Sequence, residues 1–357
     1  MKPRTSLPLY LSIISSACLA LSSASMANSS ESLPVPASQF DLSHWNITLP
    51  IDLDGDGKVD SVTVKDLEDY SHPDFFYLDA DNRMVFTAPN MGALTSNTSN
   101  TRSELRYMLR GKNKRVKTHS AANNFAVQAR KDSDKFGAVG GRMDATLRVD
   151  HVAVNAGHPD KKAAYSAVVG QIHAVKYEST RSGFGFGNEP LKIYYKKFPG
   201  HGTGSVFWTY ERNLAKDDPN RTDIVYPVWG NTWENPADPG SDGIMLGEDF
   251  SYTVNVHLNT MYLTFESPGH PTVRHQINLA NNIDANGNVD ELDNLYSYGG
   301  DSLYFKAGVY NQCSTKDEPG IWYVACPGTG DWDVDRANGD YAQASFSRLV
   351  VGPSTAP

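Results

Sequence analysis

The sequence predicts an all-β protein, a sandwich or barrel of many short strands. Two observations carry this. First, runs rich in β-branched and aromatic residues recur along the chain, among them "RMVFTAPN", "NNFAVQARK", "GRMDATLRVDHVAV", "LKIYYKKF", "GSVFWTYERN", "TVRHQINL" and "YAQASFSRLVVG". Gly, Pro, Asn and Asp separate them, as turns do between short strands. Second, no long apolar stretch of helical period follows the first residues. Only "VKDLEDYS", residues 64–71, has the look of a short helix. Nothing repeats at a fixed spacing, which argues against a propeller or solenoid. With 357 residues and no low-complexity linker, the chain reads as one large domain.

The first residues read as an address. Lys2 and Arg4 precede the apolar "LPLYLSIISSACLALSS", and small residues in "SMA" stand before Asn28. That layout predicts a signal peptide over residues 1–27. The run is too short and too rich in Ser for a membrane-spanning helix. Lipid anchoring at Cys18 is the weaker reading, because Ser15 stands where a Leu is expected. Residues 28–39 read as a flexible lead-in, and residues 40–357 as the folded domain. The mature protein is then secreted or periplasmic, with a monomer as the default. An exported protein with two remaining cysteines is expected to pair them, here Cys313 with Cys326. The net charge of −9 makes the chain a poor binder of nucleic acid or anionic membranes. A polyanionic ligand would need positive charge gathered in one place.

Several predicted strands gather it. In "NTRSELRYMLRG", residues 100–111, a period of two puts Arg102, Glu104, Arg106, Met108 and Arg110 on one face. In "VVGQIHAVKY", Gln171 and His173 share a face, with Val169 in line. In "LYFKAGVYNQ", Tyr304, Lys306, Gly308, Tyr310 and Gln312 align. In "LKIYYKKF", Lys192, Tyr194 and Lys196 align. The opposite faces carry Leu105, Ile172, Ala174, Phe305, Ala307 and Val309. A solvated face would mix Glu, Thr, Ser and Lys. Arg, Gln, His, Lys and Tyr together, with Gly308 making room, read as the floor of a groove. Such a floor suits a chain of acidic sugars, since Arg forks onto carboxylates and Tyr stacks or donates. Glu104 between two Arg sets their geometry. A hydrolase needs two opposed carboxyl groups, and Glu104 is the only carboxylate on the three faces of Arg102, His173 and Tyr310. A pure uronate-binding module gains nothing from the His–Tyr pair.

The segments "TRSELR", "GQIHA" and "YFKAGVYNQ" occur in that order from Thr101 to Gln312. Together they resemble the signature strands of alginate lyases, the jelly-roll polysaccharide lyases of families 7 and 18. The openings "SHPDFFYL" and "FDLSHWNITLP" lean toward family 18. The resemblance implies a β-jelly roll of two antiparallel sheets with a concave sheet as the substrate cleft. It implies β-elimination on alginate with no cofactor for the chemistry. Arg102, Gln171, His173 and Tyr310 match the catalytic positions, and Glu104, Arg106, Tyr304 and Lys306 match positions lining the cleft. The face reading adds Lys192, Tyr194 and Gln312 as substrate contacts. In such a reaction Arg102 and Gln171 would neutralise the carboxylate on C5. For guluronate, His173 would be the base and Tyr310 the acid. For mannuronate, Tyr310 could serve as both.

The turn "DLDGDGKVD" places Asp52, Asp54, Asp56 and Asp60 as in the start of a calcium loop, though Thr63 stands where a bidentate Glu is needed. It reads either as a structural calcium site or as a plain Asp/Gly turn. "DANGNVDELD", from Asp284, is a weaker copy. Loops 181–190 and 229–243, rich in Gly and aromatics, are candidates to overhang the cleft.

Overall fold

The computed structural model describes residue 1 and residues 34–96, 98–175 and 187–357. The expected signal peptide lies outside the described residues, as do residues 181–186 of the first cleft loop. Within residues 34–357 the chain forms two stacked sheets, a β-jelly roll. The larger sheet runs in the order Asp223–Trp229, Ser205–Glu211, Leu191–Lys196, Ser166–Ala174, Leu303–Asn311, Arg102–Tyr107, Trp45–Thr48 and Ser61–Val62, all antiparallel. The smaller runs Val273–Asn278, Thr260–Glu266, Phe250–His257, Gly141–His151, Tyr341–Gly352, Met84–Pro89 and Phe76–Leu78.

The core lies between the sheets. Leu105, Ile172, Ile193, Phe305, Ala307 and Val309 of the larger sheet meet Met143, Leu147, Tyr252, Val254 and Phe346 of the smaller. Tyr252 places its hydroxyl against Gly170, where a Cβ would lie 2.6 Å from it. The two sheets differ in their outer faces. Gly141–His151 alternates buried and half-buried residues, as a strand with one wet face does. Leu191–Lys196 is buried at every position. Protein therefore covers part of the larger sheet's outer face as well, and that cover shapes the site.

Several expectations shift. The 100–111 segment is strand only over Arg102–Tyr107. Met108 turns inward and donates its amide to the His44 carbonyl, and Arg110 reaches back to the carbonyl of Val116. "NNFAVQARK" yields only Phe125–Ala126, and the short helix is a 3-10 turn at Asp66–Asp69. Within the expected lead-in, Pro36–Ser38 forms a 3-10 turn. The strand Asp223–Trp229 and the helix Trp332–Asn338 escaped the sequence reading. The helix is signalled by its ends: Asp331 accepts the amides of Asp333 and Val334, and Gly339 closes it at φ +76°. Cys313 and Cys326 are joined in a disulfide, both buried.

Candidate active site

The Leu303–Asn311 strand lies between Arg102–Tyr107 and Ser166–Ala174. Register sets Tyr310 opposite Arg102, Lys306 opposite both Arg106 and Gln171, and Tyr304 opposite His173. The intervening residues point into the core, so these side chains share the outer face. One position departs from simple alternation. Val169 enters the core, and Val168 packs beside Tyr310 instead. The pairing shifts next to Gly170 on both neighbours, a bulge that a strict period of two cannot foresee. Gly308 also serves a different end from the expected one. At φ +133° its Cβ would lie 2.6 Å from the Ser103 carbonyl and 3.0 Å from Phe86, so the glycine permits close strand approach rather than opening the groove.

Glu104 is the hub of the floor. Arg102 Nη1 donates to it at 3.1 Å, and Gln171 Nε2 and Lys306 Nζ donate as well. Two cations and an amide on one buried carboxylate leave the floor with surplus positive charge. The Arg102 guanidinium lies 4.1 Å over the Tyr310 ring, and that of Arg106 3.9 Å over Tyr304. Arg106 also donates to the Thr118 carbonyl and to Asn124 Oδ1. Among the described residues, Arg102 Nε and Gln171 Oε1 are buried without a hydrogen-bond partner, so a polar ligand at this point would satisfy them. Burial, joined by Arg102, brings the Lys306 ammonium down to about 8.

His173 stacks on Tyr304 with centroids 5.2 Å apart. Its Nδ1 lies 2.8 Å from the Ala174 carbonyl, which can only accept. Nδ1 therefore carries the proton and Nε2 the lone pair. Burial pushes this imidazole down to about 4; Lys306 and Arg102 add to the effect and Glu189 opposes it. Tyr310 moves the other way. Burial raises its pKa, against Arg102, so the phenol keeps its proton.

Glu189 escaped the sequence reading. Its Oε1 lies 3.3 Å from His173 Nε2, and its Oε2 lies 3.4 Å from Lys192 Nζ. Lys192 also meets Asp223 at 3.1 Å, Glu211 accepts the Glu189 amide at 2.9 Å, and Arg221 pairs with Glu211 at 3.2 Å. Burial disfavours the Glu189 charge, but Lys192, His173, a hydrogen bond from Glu211 and Arg221 outweigh it and bring the group to about 2. Burial and the Glu189 charge push Glu211 up. Glu189 sits in the turn "GNEP", where no periodicity applies. Only the pairing of Leu191 with Ile172 brings it beside His173.

Two expected substrate contacts are placed elsewhere. Tyr194 is 0 % exposed, stacked on Phe207 at 5.1 Å and edge-on to Trp233 at 5.4 Å. It supports the floor and presents no surface. Gln312 lies just past the strand, buried, and donates to the Tyr310 carbonyl. Lys192 is nearly enclosed by its acidic partners and by Trp322, whose ring lies 5.3 Å away. The 229–243 loop does reach this face, through Trp233. Trp322, from the disulfide-closed segment, packs on it at 5.7 Å, and both belong to a cluster with Tyr310 and Val168.

In the Asp/Gly turn, the carboxylates of Asp52, Asp54 and Asp56 gather within 4.8 Å, all exposed. Asp60 stands apart from them and accepts the Leu53 amide, which corrects the expected four-carboxylate set. Asp52 already accepts the amides of Gly55, Asp56 and Gly57, so turn formation accounts for its position.

The family model for alginate lyases matches residues 40–353. An alginate lyase of Klebsiella pneumoniae is 35% identical over 325 residues, which span 89% of this chain and 91% of that protein. The crystal structure of the alginate lyase from Klebsiella pneumoniae superposes with a TM-score of 0.70 at 32% identity, covering 90% of this chain and 99% of the other. The exolytic family 7 alginate lyase from Zobellia galactanivorans gives 0.71 at 33% identity, with the same coverage. The lean toward family 18 finds no support among these relatives; family 7 fits better.

Proposed function

The chain belongs to the alginate lyase family, so it is a polysaccharide lyase, and from that premise we propose how its site performs β-elimination. The carrying observation is one sheet face on which Arg102, Gln171, His173 and Tyr310 stand together, with His173 neutral and Tyr310 protonated. Alginate is a chain of 4-linked uronates, and the proton on C5 is weakly acidic while the neighbouring carboxylate keeps its charge. Arg102 and Gln171 bind that carboxylate, and the positive surplus of the floor stabilises the negative charge that develops on it. His173 Nε2 takes the C5 proton. The freed electron pair forms the C4–C5 double bond, the C4–O bond breaks, and Tyr310 protonates the departing oxygen. Tyr310 and His173 then return to their starting states by exchange with solvent.

Separate base and acid suit guluronate, where proton and leaving group lie on opposite faces. A neutral imidazole beside a protonated phenol favours this route. We assign the chain to family 7, acting as a monomer outside the cytoplasm. The predicted signal peptide and the disulfide both support export. The test is ultraviolet absorbance of the mature protein with alginate and with separate poly-guluronate and poly-mannuronate blocks. The unsaturated-uronate band should grow, and faster on guluronate. Faster growth on mannuronate would give both proton transfers to Tyr310, whereas reducing ends without the band would mean hydrolysis and overturn the mechanism.

A further inference from the structure

His173 has a neighbour that the elimination scheme leaves unused. Its Nδ1 proton is committed to the Ala174 carbonyl, so the ring turns a bare Nε2 toward Glu189 Oε1 at 3.3 Å. Two acceptors face each other there. That contact is unfavourable while the imidazole is neutral and becomes an ion pair once Nε2 gains a proton. We propose that Glu189 is the positioning residue for His173: with the resting ring fixed by the Ala174 carbonyl, it stabilises the imidazolium that forms when the C5 proton arrives on Nε2. The inference rests on the elimination reading above and extends it.

The surroundings of Glu189 fit this task. Lys192 Nζ lies 3.4 Å from its other oxygen, and the backbone amide of Glu189 is fixed by Glu211. Glu211, Asp223 and Arg221 complete the buried cluster around it. Burial and the Glu189 charge push Glu211 up, and it donates a hydrogen bond to Glu189, so the two cations Lys192 and Arg221 are set against Glu189 and Asp223. Oε1 of Glu189 is the carboxylate oxygen of this cluster that faces His173, and it meets the ring directly once Nε2 is protonated. The other charges bearing on the imidazole are Lys306 and Arg102, both positive and both on the floor, with Tyr304 stacked on the ring. Glu189 is therefore the group that favours the charged ring, while the floor opposes it. The resting ring stays neutral, and protonation during turnover is met by a carboxylate already in place. Gly187 brings backbone near the same ring, where a Cβ would stand 3.4 Å from His173 Cε1.

The experiment combines kinetics with nuclear magnetic resonance of the labelled imidazole in the free protein. In Glu189→Gln, kcat should fall on the order of tenfold or more with KM within about twofold, because the lost interaction exists only in the transition state. The His173 titration should move to lower pH, since the carboxylate that favours the charged ring is gone. Glu189→Asp keeps the charge but draws it back, and should recover part of kcat. In the unaltered protein the nitrogen shifts should report Nδ1–H with a bare Nε2. This needs no variant, so it stands even if Glu189→Gln fails to fold. A folded Glu189→Gln protein with wild-type kcat, an unmoved titration, or a resting Nε2–H tautomer would each overturn the proposal. Failure of the elimination reading looks different: the unaltered protein itself would form no unsaturated product.

Discussion

Glu104 and Glu189 are both buried carboxylates at the same sheet face, and their neighbours differ in sign. Glu104 stands alone among Arg102, Lys306 and Gln171. Glu189 shares Lys192 and Arg221 with two further carboxylates, Glu211 and Asp223. The first arrangement leaves positive charge to spare, which an incoming uronate carboxylate can use. The second balances its charges, with Glu211 pushed up by burial and by Glu189, and turns one Glu189 oxygen toward His173, where an imidazolium can use it. In the proposed elimination, one residue type thus serves substrate binding on one side and proton abstraction on the other, and the neighbours of each carboxylate decide which.

The sharpest way to break this comparison is to remove the groups between the two carboxylates. His173→Ala and Tyr310→Phe should each lower kcat by about a thousandfold with the fold intact, the scale of a lost general base or acid. Full activity in Tyr310→Phe, followed by the unsaturated-product band, would end the assigned roles. Arg102→Ala tests the positive side. Loss of about a hundredfold in kcat/KM is expected, shared between binding and turnover, because a bound carboxylate is then left uncompensated. Wild-type kinetics would place Arg102 off the substrate.

A third test uses acid. The His173 pKa falls from about 6.5 in the unfolded chain to about 4 when folded. The unfolded chain then binds more protons between those values, so this contribution is complete above pH 6.5 and is lost as pH falls through 4. Its size is roughly 3 kcal/mol. Denaturant titrations should show His173→Gln losing less stability than the unaltered protein over that window. The smallest effect belongs to Glu104→Gln. Glu104 supports the Lys306 ammonium, which already stands near 8, so removing it should carry the alkaline limb of kcat/KM to lower pH. A tenfold loss of kcat/KM, about 1.4 kcal/mol, should accompany it.

The same contrast explains what was legible in the sequence. Arg102, Glu104, Lys306 and Tyr310 lie on regular strands, where a period of two assigns each side chain a face. Gln171 and His173 were readable for the same reason, but Val169 was misplaced because a bulge reverses the alternation beside Gly170. Tyr194 had the right face and the wrong exposure, since the loops that bury it come from residues 229–243 and from the disulfide-closed segment. Glu189 lies in a turn, and what makes it matter is the alignment of two strands. Periodicity reports which way a side chain points; it does not report what will be laid over it.

Trp322 is carried by the segment that Cys313 and Cys326 close, just past the end of the Tyr310 strand. Both sheets are complete without that bridge, because neither cysteine lies in a strand. What the bridge adds is a fixed wall: it ties the segment that carries Trp322 to the end of the Tyr310 strand, beside contacts such as His158 with Asp317 and Lys161 with the Glu318 carbonyl. Reduction should therefore loosen the rim beside Tyr310 while both sheets stay paired.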